Sequence, residues 1–289
     1  GFQIIPSQED ASVNFVRPGE NLGYLEARYV RRTDDYFIVY LSSQTGCQKA
    51  CRMCHLTASG QNRFENASYG DFISQAETVL QHYDNMTPAP LVHFNFMSRG
   101  EPLDNPVMTK EGDHVLRGLK ALADQRGMRS KFLISSIMPD SMESLALTDM
   151  FTDREVYPEL YYSLYSVDPS FRKRWLPRAI DPKKALEKLV QWQAHTGKTP
   201  KVHFAFIKGE NDSEKDVRRL CAAINESGLK VNFNVVRYNP YSEKYGCESD
   251  FTVIERNTEL MRELLNPERF RVVPRVGFDA KASCGMFIE

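Results

Sequence analysis

Long apolar runs are missing from this sequence, and neither sign of charge is in surplus. No stretch approaches the roughly 18 consecutive apolar residues of a membrane-spanning helix. The opening residues GFQIIPSQEDASVNF lack the charged and then apolar pattern of an export signal. The 37 lysines and arginines nearly balance 38 aspartates and glutamates, so the formal charge of −1 gives no basic field indicating nucleic acid. These absences predict a cytoplasmic protein without a membrane partner.

Cysteine is also scarce, with 6 residues in 289, and three of the six lie close together. The stretch GCQKACRMCHLTASGQNR contains Cys47, Cys51 and Cys54 at the spacing C-x3-C-x2-C. In a reducing compartment, clustered cysteines bind metals or perform chemistry more often than they form structural disulfides. The spacing therefore indicates a metal centre or a reactive site.

Four interpretations of these cysteines compete. Buried structural thiols would have the polar residues Gln48, Lys49 and Arg52 as poor core neighbours. A structural zinc ion needs four ligands, and only His55, badly placed beside Cys54, is at hand. The letters CRMCH also match covalent haem attachment, which would leave Cys47 unexplained. A [4Fe–4S] cluster held by three cysteines, with its fourth iron open for a substrate or cofactor, is favoured because it needs no fourth ligand.

The rest of the chain predicts alternating strands and helices. Six short apolar or alternating runs are candidate strands, at residues 36–41, 91–97, 131–136, 160–166, 201–207 and 231–236. The segments between them carry apolar residues three and four apart, as amphipathic helices do. This alternation predicts parallel βα units, in either an open doubly wound sheet or a partial barrel. Ligands of both folds bind beyond the carboxyl ends of the strands, where the three cysteines fall.

Several motifs resemble one known family. The stretches SSQTGCQKACRMCHLTASGQNR, SRGEPLDNP, SLYS, YNPYSEKYG and DAKASCG are similar, in order and spacing, to motifs of the RlmN/Cfr-type adenine methyltransferases of the radical S-adenosylmethionine (SAM) superfamily. The resemblance runs from about Tyr24 to the last residue. It implies an α/β fold, a partial (β/α)6 TIM-like radical SAM barrel. The barrel would span residues 36–289, including a C-terminal catalytic-cysteine segment, after a short N-terminal extension at 1–35.

The resemblance also implies the cofactors and the residues that bind them. Cys47, Cys51 and Cys54 would hold a [4Fe–4S] cluster whose open iron chelates SAM, which is then cleaved to a 5′-deoxyadenosyl radical. In SRGEP, Gly100 and Glu101 would bind the amino group of SAM. The remaining residues expected to bind the cofactor are Ser135, Ser163, Tyr165 and Asn239.

Two further residues are expected to act in the reaction. The family methylates the cysteine of its C-terminal motif, here Cys284, with one SAM. The radical from a second SAM then abstracts hydrogen from that methyl, and the resulting carbon radical adds to an adenine ring carbon. Glu26, in LEARYV, resembles the glutamate that accepts a proton, although the match requires a one-residue shift.

The sequence departs from the family at several points. The second catalytic cysteine, seven residues before the first cluster cysteine, is replaced by Tyr40, which cannot perform thiol–disulfide exchange. Cys221 is predicted to be a core residue. Cys247 follows the YNP motif and could replace the missing second catalytic cysteine if the fold brings it to the same place. We also expect a minimal core without the N-terminal accessory domain of the ribosomal RNA enzymes. The basic stretch FRKRWLPR, 171–178, is either an RNA contact surface or an ordinary solvated face.

These observations favour a radical SAM methyltransferase acting on C2 or C8 of an adenine in RNA. A first alternative is an enzyme of the same descent that abstracts hydrogen directly from another substrate, without a methylated cysteine. A second is a non-enzymatic protein that binds a metal cluster. The expected partners are an RNA or nucleotide substrate, weakly supported by the charge, and an electron donor such as flavodoxin.

Overall fold

A computed structural model describes residues 1–289. It contains one ten-stranded sheet whose strands lie in sequence order. The strands are β1 (Gln3–Pro6), β2 (Val13–Pro18), β3 (Tyr24–Val30), β4 (Tyr36–Tyr40), β5 (Leu91–Phe96), β6 (Arg129–Ser136), β7 (Glu159–Tyr162), β8 (Lys201–Ala205), β9 (Asn232–Val236) and β10 (Phe270–Val272). Pairings from β1 to β4 are antiparallel, and those from β4 to β10 are parallel.

Helices connect the parallel strands. They are α1 (His55–Ala58), α2 (Tyr69–Tyr83), α3 (Pro106–Asp124), α4 (Leu147–Met150), α5 (Pro169–Trp175), α6 (Pro182–Thr196), α7 (Glu214–Ser227) and α8 (Phe251–Leu265). Four 3-10 turns lie at Pro102–Asp104, Asp140–Ser144, Arg154–Val156 and Glu243–Tyr245. No helix is both long and apolar enough to cross a lipid bilayer.

Local signals in the sequence explain where the longer helices begin and end. Ser68 and Asp71 form a reciprocal capping box at the start of α2. Asp181 caps the start of α6, and Gly197 ends that helix in the left-handed conformation, which glycine adopts without a Cβ penalty.

Alternation along the strands separates the core from an interior cavity. In β4, Phe37 and Val39 are fully buried in the main core, which also contains the inner faces of the helices. The alternate residues Tyr36, Ile38 and Tyr40 point the other way and line the cavity. Since burying an aromatic or aliphatic side chain contributes about 1.5–3 kcal/mol, this outer core fixes the register of the sheet.

The parallel βα fold predicted from the sequence is confirmed, and two details differ. The run at 160–166 was expected to be strand throughout, but the strand ends at Tyr162 because Tyr165 adopts a left-handed backbone with φ of 58°. Residues 1–35 contain β1, β2 and β3, which continue the sheet beyond β4. Their buried residues, such as Val13 and Phe15, belong to the main core.

Candidate active site

A cavity of about 710 Å³ occupies the concave side of the sheet. Of the residues singled out in the sequence, it is lined by Cys47, Cys51, Cys54, Gly100, Glu101, Ser135, Ser163, Tyr165 and Cys284. Glu26 and Asn239 are not among its lining residues. The fold therefore gathers most of the predicted site around one space, large enough for a small-molecule ligand.

The cysteine loop, residues 46–54, follows β4 and is fixed by the polar residues between its cysteines. The buried Lys49 ammonium lies 3.0 Å from Asp104 and 2.8 Å from Asp140. The Arg52 amide donates to the Trp175 carbonyl at 3.0 Å, and its guanidinium lies over the Trp175 ring. Because the polar residues between the cysteines anchor the loop, the three thiols are left free to face the cavity.

The Nε2 atom of His55 is not available to a metal. It lies 2.7 Å from the Asn239 carbonyl oxygen, and hydrogen bonding to that oxygen requires Nε2 to be the donor. Burial lowers the pKa of His55, which favours the neutral ring. In that tautomer Nδ1 carries the lone pair, and His55 is not part of a group of three or more His, Cys, Asp or Glu side chains that could hold a metal ion.

The donor set fits a cluster better than a single ion. A structural zinc ion needs four ligands, and no fourth His, Cys, Asp or Glu side chain is grouped with the three thiols. Burial and the neighbouring Cys54 raise the pKa of Cys47 to about 12, and burial also raises the pKa values of Cys51 and Cys54. Thiols in this surrounding ionise when a metal centre compensates their charge. Three free thiols on one cavity fit a [4Fe–4S] cluster with one open iron.

The loop after β5 requires glycine and presents a carboxylate. Gly100 has φ of 89°, and a Cβ there would lie 2.5 Å from the Cβ of Gln44. The neighbouring Glu101 carboxylate accepts hydrogen bonds from the amides of Leu103 at 3.1 Å and Ile137 at 3.2 Å. Burial outweighs these bonds and raises the pKa of Glu101 to about 7. An ammonium ligand would supply the charge that this buried carboxylate lacks.

The remaining predicted cofactor residues divide into two groups. Ser135 and Ser163 lie on the cavity wall with their hydroxyl oxygens 3.2 Å apart, and Tyr165 follows them on the same wall. Asn239 instead donates from Nδ2 to the Cys284 carbonyl at 2.8 Å and to the Ser283 hydroxyl at 3.3 Å. Asn239 therefore positions the segment that carries Cys284.

That C-terminal segment, residues 277–289, crosses one end of the cavity. The His55 amide donates to the Gly285 carbonyl at 3.1 Å, and Gln61 Nε2 donates to the Ile288 carbonyl at 2.8 Å. Arg99 donates to the same carbonyl at 2.6 Å. These bonds leave the Cys284 side chain exposed, and it faces the cavity.

A buried charge network underlies the C-terminal segment. The Glu26 carboxylate is fully buried and forms ion pairs with Arg99 and, at 3.6 Å, with Arg28. It also accepts from Asn14 Nδ2 at 2.8 Å and from the Ile288 amide at 3.3 Å. The catalytic role of Glu26 stays a prediction, since its carboxylate is occupied outside the cavity lining.

Sequence reasoning missed the two arginines of this network. Arg99 was visible as the second residue of SRGEP, and Arg28 as the second residue after Glu26 in LEARYV. Nothing in either motif shows that the guanidinium groups turn inward, because that follows from the partner Glu26, 73 residues from Arg99.

Tyr40 and Cys284 line the same part of the cavity. Burial raises the pKa of Tyr40, and the nearby Cys284 acts in the same direction. Although the Cys284 side chain is accessible from the cavity, desolvation by the surrounding cavity walls raises its pKa, and Arg32 and Arg28 oppose the rise. Neither Cys221, buried in α7, nor Cys247, on the outer surface, lines the cavity. The neighbour of Cys284 in the cavity is therefore Tyr40. Apart from the three thiols of the cysteine loop, no other thiol lines the cavity with it.

The basic stretch at 171–178 contains one buried arginine and three exposed basic residues. Arg172 is buried and donates to the carbonyls of Leu164, Ser166 and Ile180. Arg174 pairs with Glu210 and Arg178 lies 3.7 Å from Asp140, but both side chains are more than half exposed, and Lys173 is exposed as well. The RNA contact surface and the solvated face therefore both stay predictions for this stretch.

Comparison with known proteins agrees with this geometry. No protein-family model matches the chain. It is 25% identical over 261 residues to a dual-specificity RNA methyltransferase RlmN of Wolinella succinogenes, covering 88% of this chain and 67% of the relative. It is 26% identical over 257 residues to RlmN of Helicobacter hepaticus, covering 86% and 64%. The chain spans between 56% and 67% of the length of the first curated relatives that it matches.

Solved structures show the same fold. A radical SAM methyltransferase from Sphaerobacter thermophilus superposes with a TM-score of 0.77 and 18% identity, covering 98% of this chain and 79% of that one. The barrel has the fold of this radical SAM enzyme, with the cysteine loop after β4. In sequence the chain is similar to RlmN methyltransferases over most of its length, in agreement with the resemblance of its motifs to the RlmN/Cfr-type family.

Proposed function

We propose that this protein is a radical SAM methyltransferase that attaches a carbon to C2 or C8 of an adenine in RNA, with Cys284 carrying the methyl group. One observation carries the proposal. Cys284 and the three thiols of the cysteine loop line one cavity, although more than 200 residues separate them in sequence. The names of the RlmN relatives support RNA as the substrate.

Each part of the cavity has a distinct task in this proposal. Cys47, Cys51 and Cys54 would hold the cluster, and the Glu101 carboxylate would bind the ammonium of SAM. Bound together, the cluster and SAM would supply a 5′-deoxyadenosyl radical, given an electron from a donor such as flavodoxin. Ser135, Ser163 and Tyr165 would contact SAM along one wall. Arg28 and Arg32 favour the thiolate of Cys284, the form that accepts a methyl group.

Replacing the carrier thiol tests the proposal. Anaerobically reconstituted wild-type protein should carry a methylated Cys284, detected as an added mass of about 14 Da on the C-terminal peptide. Cys284→Ala should lose methylated product while still cleaving SAM to 5′-deoxyadenosine. Cys247→Ala, which removes a thiol outside the cavity, is the matched control and should keep full activity. Full activity of Cys284→Ala would contradict the proposal.

Tyr40 favours a second candidate function. With no second thiol beside Cys284, a covalent link between protein and substrate could not be resolved by disulfide formation. The enzyme would then abstract hydrogen directly from its substrate and use no methylated cysteine. Under the first candidate, Tyr40→Cys should speed turnover or release a trapped adduct, seen by intact mass. Under the second, Cys284 should be unmodified, and Tyr40→Cys should bring no gain in rate.

A further inference from the structure

The cavity continues away from the cysteine loop into a second polar region. This inner end is formed by Tyr36, His93, Lys201, His203 and Arg271, all of which line the same cavity as Cys284. Tyr36 and Lys201 are the first residues of β4 and β8, so this end lies at the amino ends of the strands. The cofactor residues lie at the carboxyl ends, and none of them reaches here.

Positive charge accumulates at the inner end without partners. Lys201, Arg269 and Arg271 line it, and none has a carboxylate within 4 Å, although Glu268 also lines the cavity. The other nearby carboxylate, Glu159, is already paired with Lys198 at 3.2 Å. Lys201 is half-buried and the two arginines are exposed, so the cluster repels itself electrostatically and attracts an anion.

Neutral polar groups hold these cations in place. Lys201 Nζ lies 3.2 Å from the Tyr161 hydroxyl, and Arg271 Nη1 lies 3.5 Å from the Tyr36 hydroxyl. The Tyr36 ring stacks on His93 with centroids 4.3 Å apart. His93 Nε2 and His203 Nδ1 are buried and have no hydrogen-bond partner. Cations without carboxylate partners that line one cavity are typical of a site that binds an anion.

We propose that the inner end is an anion subsite that binds a phosphate group of the nucleotide substrate, an inference that rests on the proposed function. A phosphate accepts hydrogen bonds from an ammonium and a guanidinium at once, which suits Lys201 and Arg271. The cavity joins this subsite to Cys284, so the base of one nucleotide can face the thiol while its phosphate faces the strand starts. The subsite thereby orients the substrate.

Binding measurements without turnover test the subsite. Cluster-loaded protein is titrated by calorimetry with adenosine 5′-monophosphate and with adenosine. We expect the monophosphate to bind about tenfold more tightly, and Lys201→Gln or Arg271→Gln to remove most of that preference. The control Lys198→Gln, whose side chain is outside the cavity lining, should keep it. Inorganic phosphate should compete with the monophosphate in wild-type protein.

The outcomes of these titrations show whether the phosphate belongs to RNA or to a free nucleotide. They also distinguish failure of the subsite proposal from failure of the methyl transfer proposal. Competition by a short adenine-containing RNA would support a phosphate within a strand, and competition by the mononucleotide alone would support a free nucleotide. Equal affinity for adenosine and its monophosphate, or a preference unchanged in both variants and unaffected by phosphate, would overturn the subsite. Failure of the methyl transfer proposal appears instead as an unmodified Cys284 with the phosphate preference intact.

Discussion

At the scale of single residues, Glu101 shows how burial prepares a ligand site. Its carboxylate has amide donors but no cation, and its pKa is raised to about 7. A raised pKa means that the neutral acid predominates below about pH 7 and the carboxylate above it. Only the carboxylate attracts an ammonium strongly. Protonation of Glu101 therefore competes with binding of SAM.

SAM affinity should consequently depend on pH in a range where few carboxylates titrate. Lowering the pH from 8 to 6 should weaken SAM binding by about tenfold, because the charged hydrogen bond is lost. Glu101→Gln should bind weakly throughout and show little pH dependence. Glu268→Gln, which removes a carboxylate from the other end of the cavity, is the control. A wild-type affinity that is flat with pH, measured by calorimetry, would argue against contact between Glu101 and SAM.

At the scale of elements, the cysteine loop is a rigid ligand set. Its backbone is held by Lys49 and Arg52, so the thiols do not have to fold around the metal. Reconstituted protein should be brown and hold about four irons. Alanine at Cys47, Cys51 or Cys54 should abolish the colour and the iron, measured by absorbance and iron analysis, while Cys247→Ala keeps both. A colourless protein with one tightly bound zinc ion would refute the cluster.

The C-terminal segment is the second decisive element, and Arg99 is its main anchor. Arg99→Leu leaves the buried Glu26 carboxylate with only its longer ion pair to Arg28, which should lower the free energy of unfolding by about 3–5 kcal/mol. Urea denaturation measures this loss, and limited proteolysis should cut residues 277–289 first. The surface pair of Arg117 and Asp153 offers a control, since Arg117→Leu should cost less than about 1 kcal/mol. Equal losses in both variants would show that the network does not stabilise the segment.

Sequence patterns revealed the elements better than the contacts between them. Six of the seven parallel strands were readable because each is a short apolar run bounded by helical periodicity, and the cysteine loop because of its spacing, whereas the short strand β10 was missed. The three antiparallel strands before Tyr36 were not recognised, since charged residues such as Glu26 and Arg28 interrupt their apolar pattern. Those charged side chains are covered by residues near Met286 and Ile288, more than 250 positions away in sequence. A local sequence pattern cannot predict such a contact.

At the scale of the whole molecule, charge balance limits any affinity for RNA. The formal charge is −1, and within the 171–178 stretch Arg172 is buried while Arg174 and Arg178 are paired with acidic side chains. A few phosphate contacts give a shallow dependence on salt, with a slope of about −0.7 per contact on single strands. Filter binding should show weak RNA binding that is lost between about 50 and 200 mM salt. Tight, salt-resistant binding to structured ribosomal RNA would contradict this.

The ion pairs of Glu26 also impose an order on folding. The amide of Ile288 that completes the hydrogen bonds of Glu26 lies 262 residues away along the chain. Contacts of such large sequence separation form late, because their loop-closure entropy must be offset by the rest of the structure. During synthesis the partly made barrel therefore holds Glu26, Arg28 and Arg99 without their final partners. The reactive thiol is positioned in the same late event that completes this network, so a chain that has not finished folding has no assembled active site.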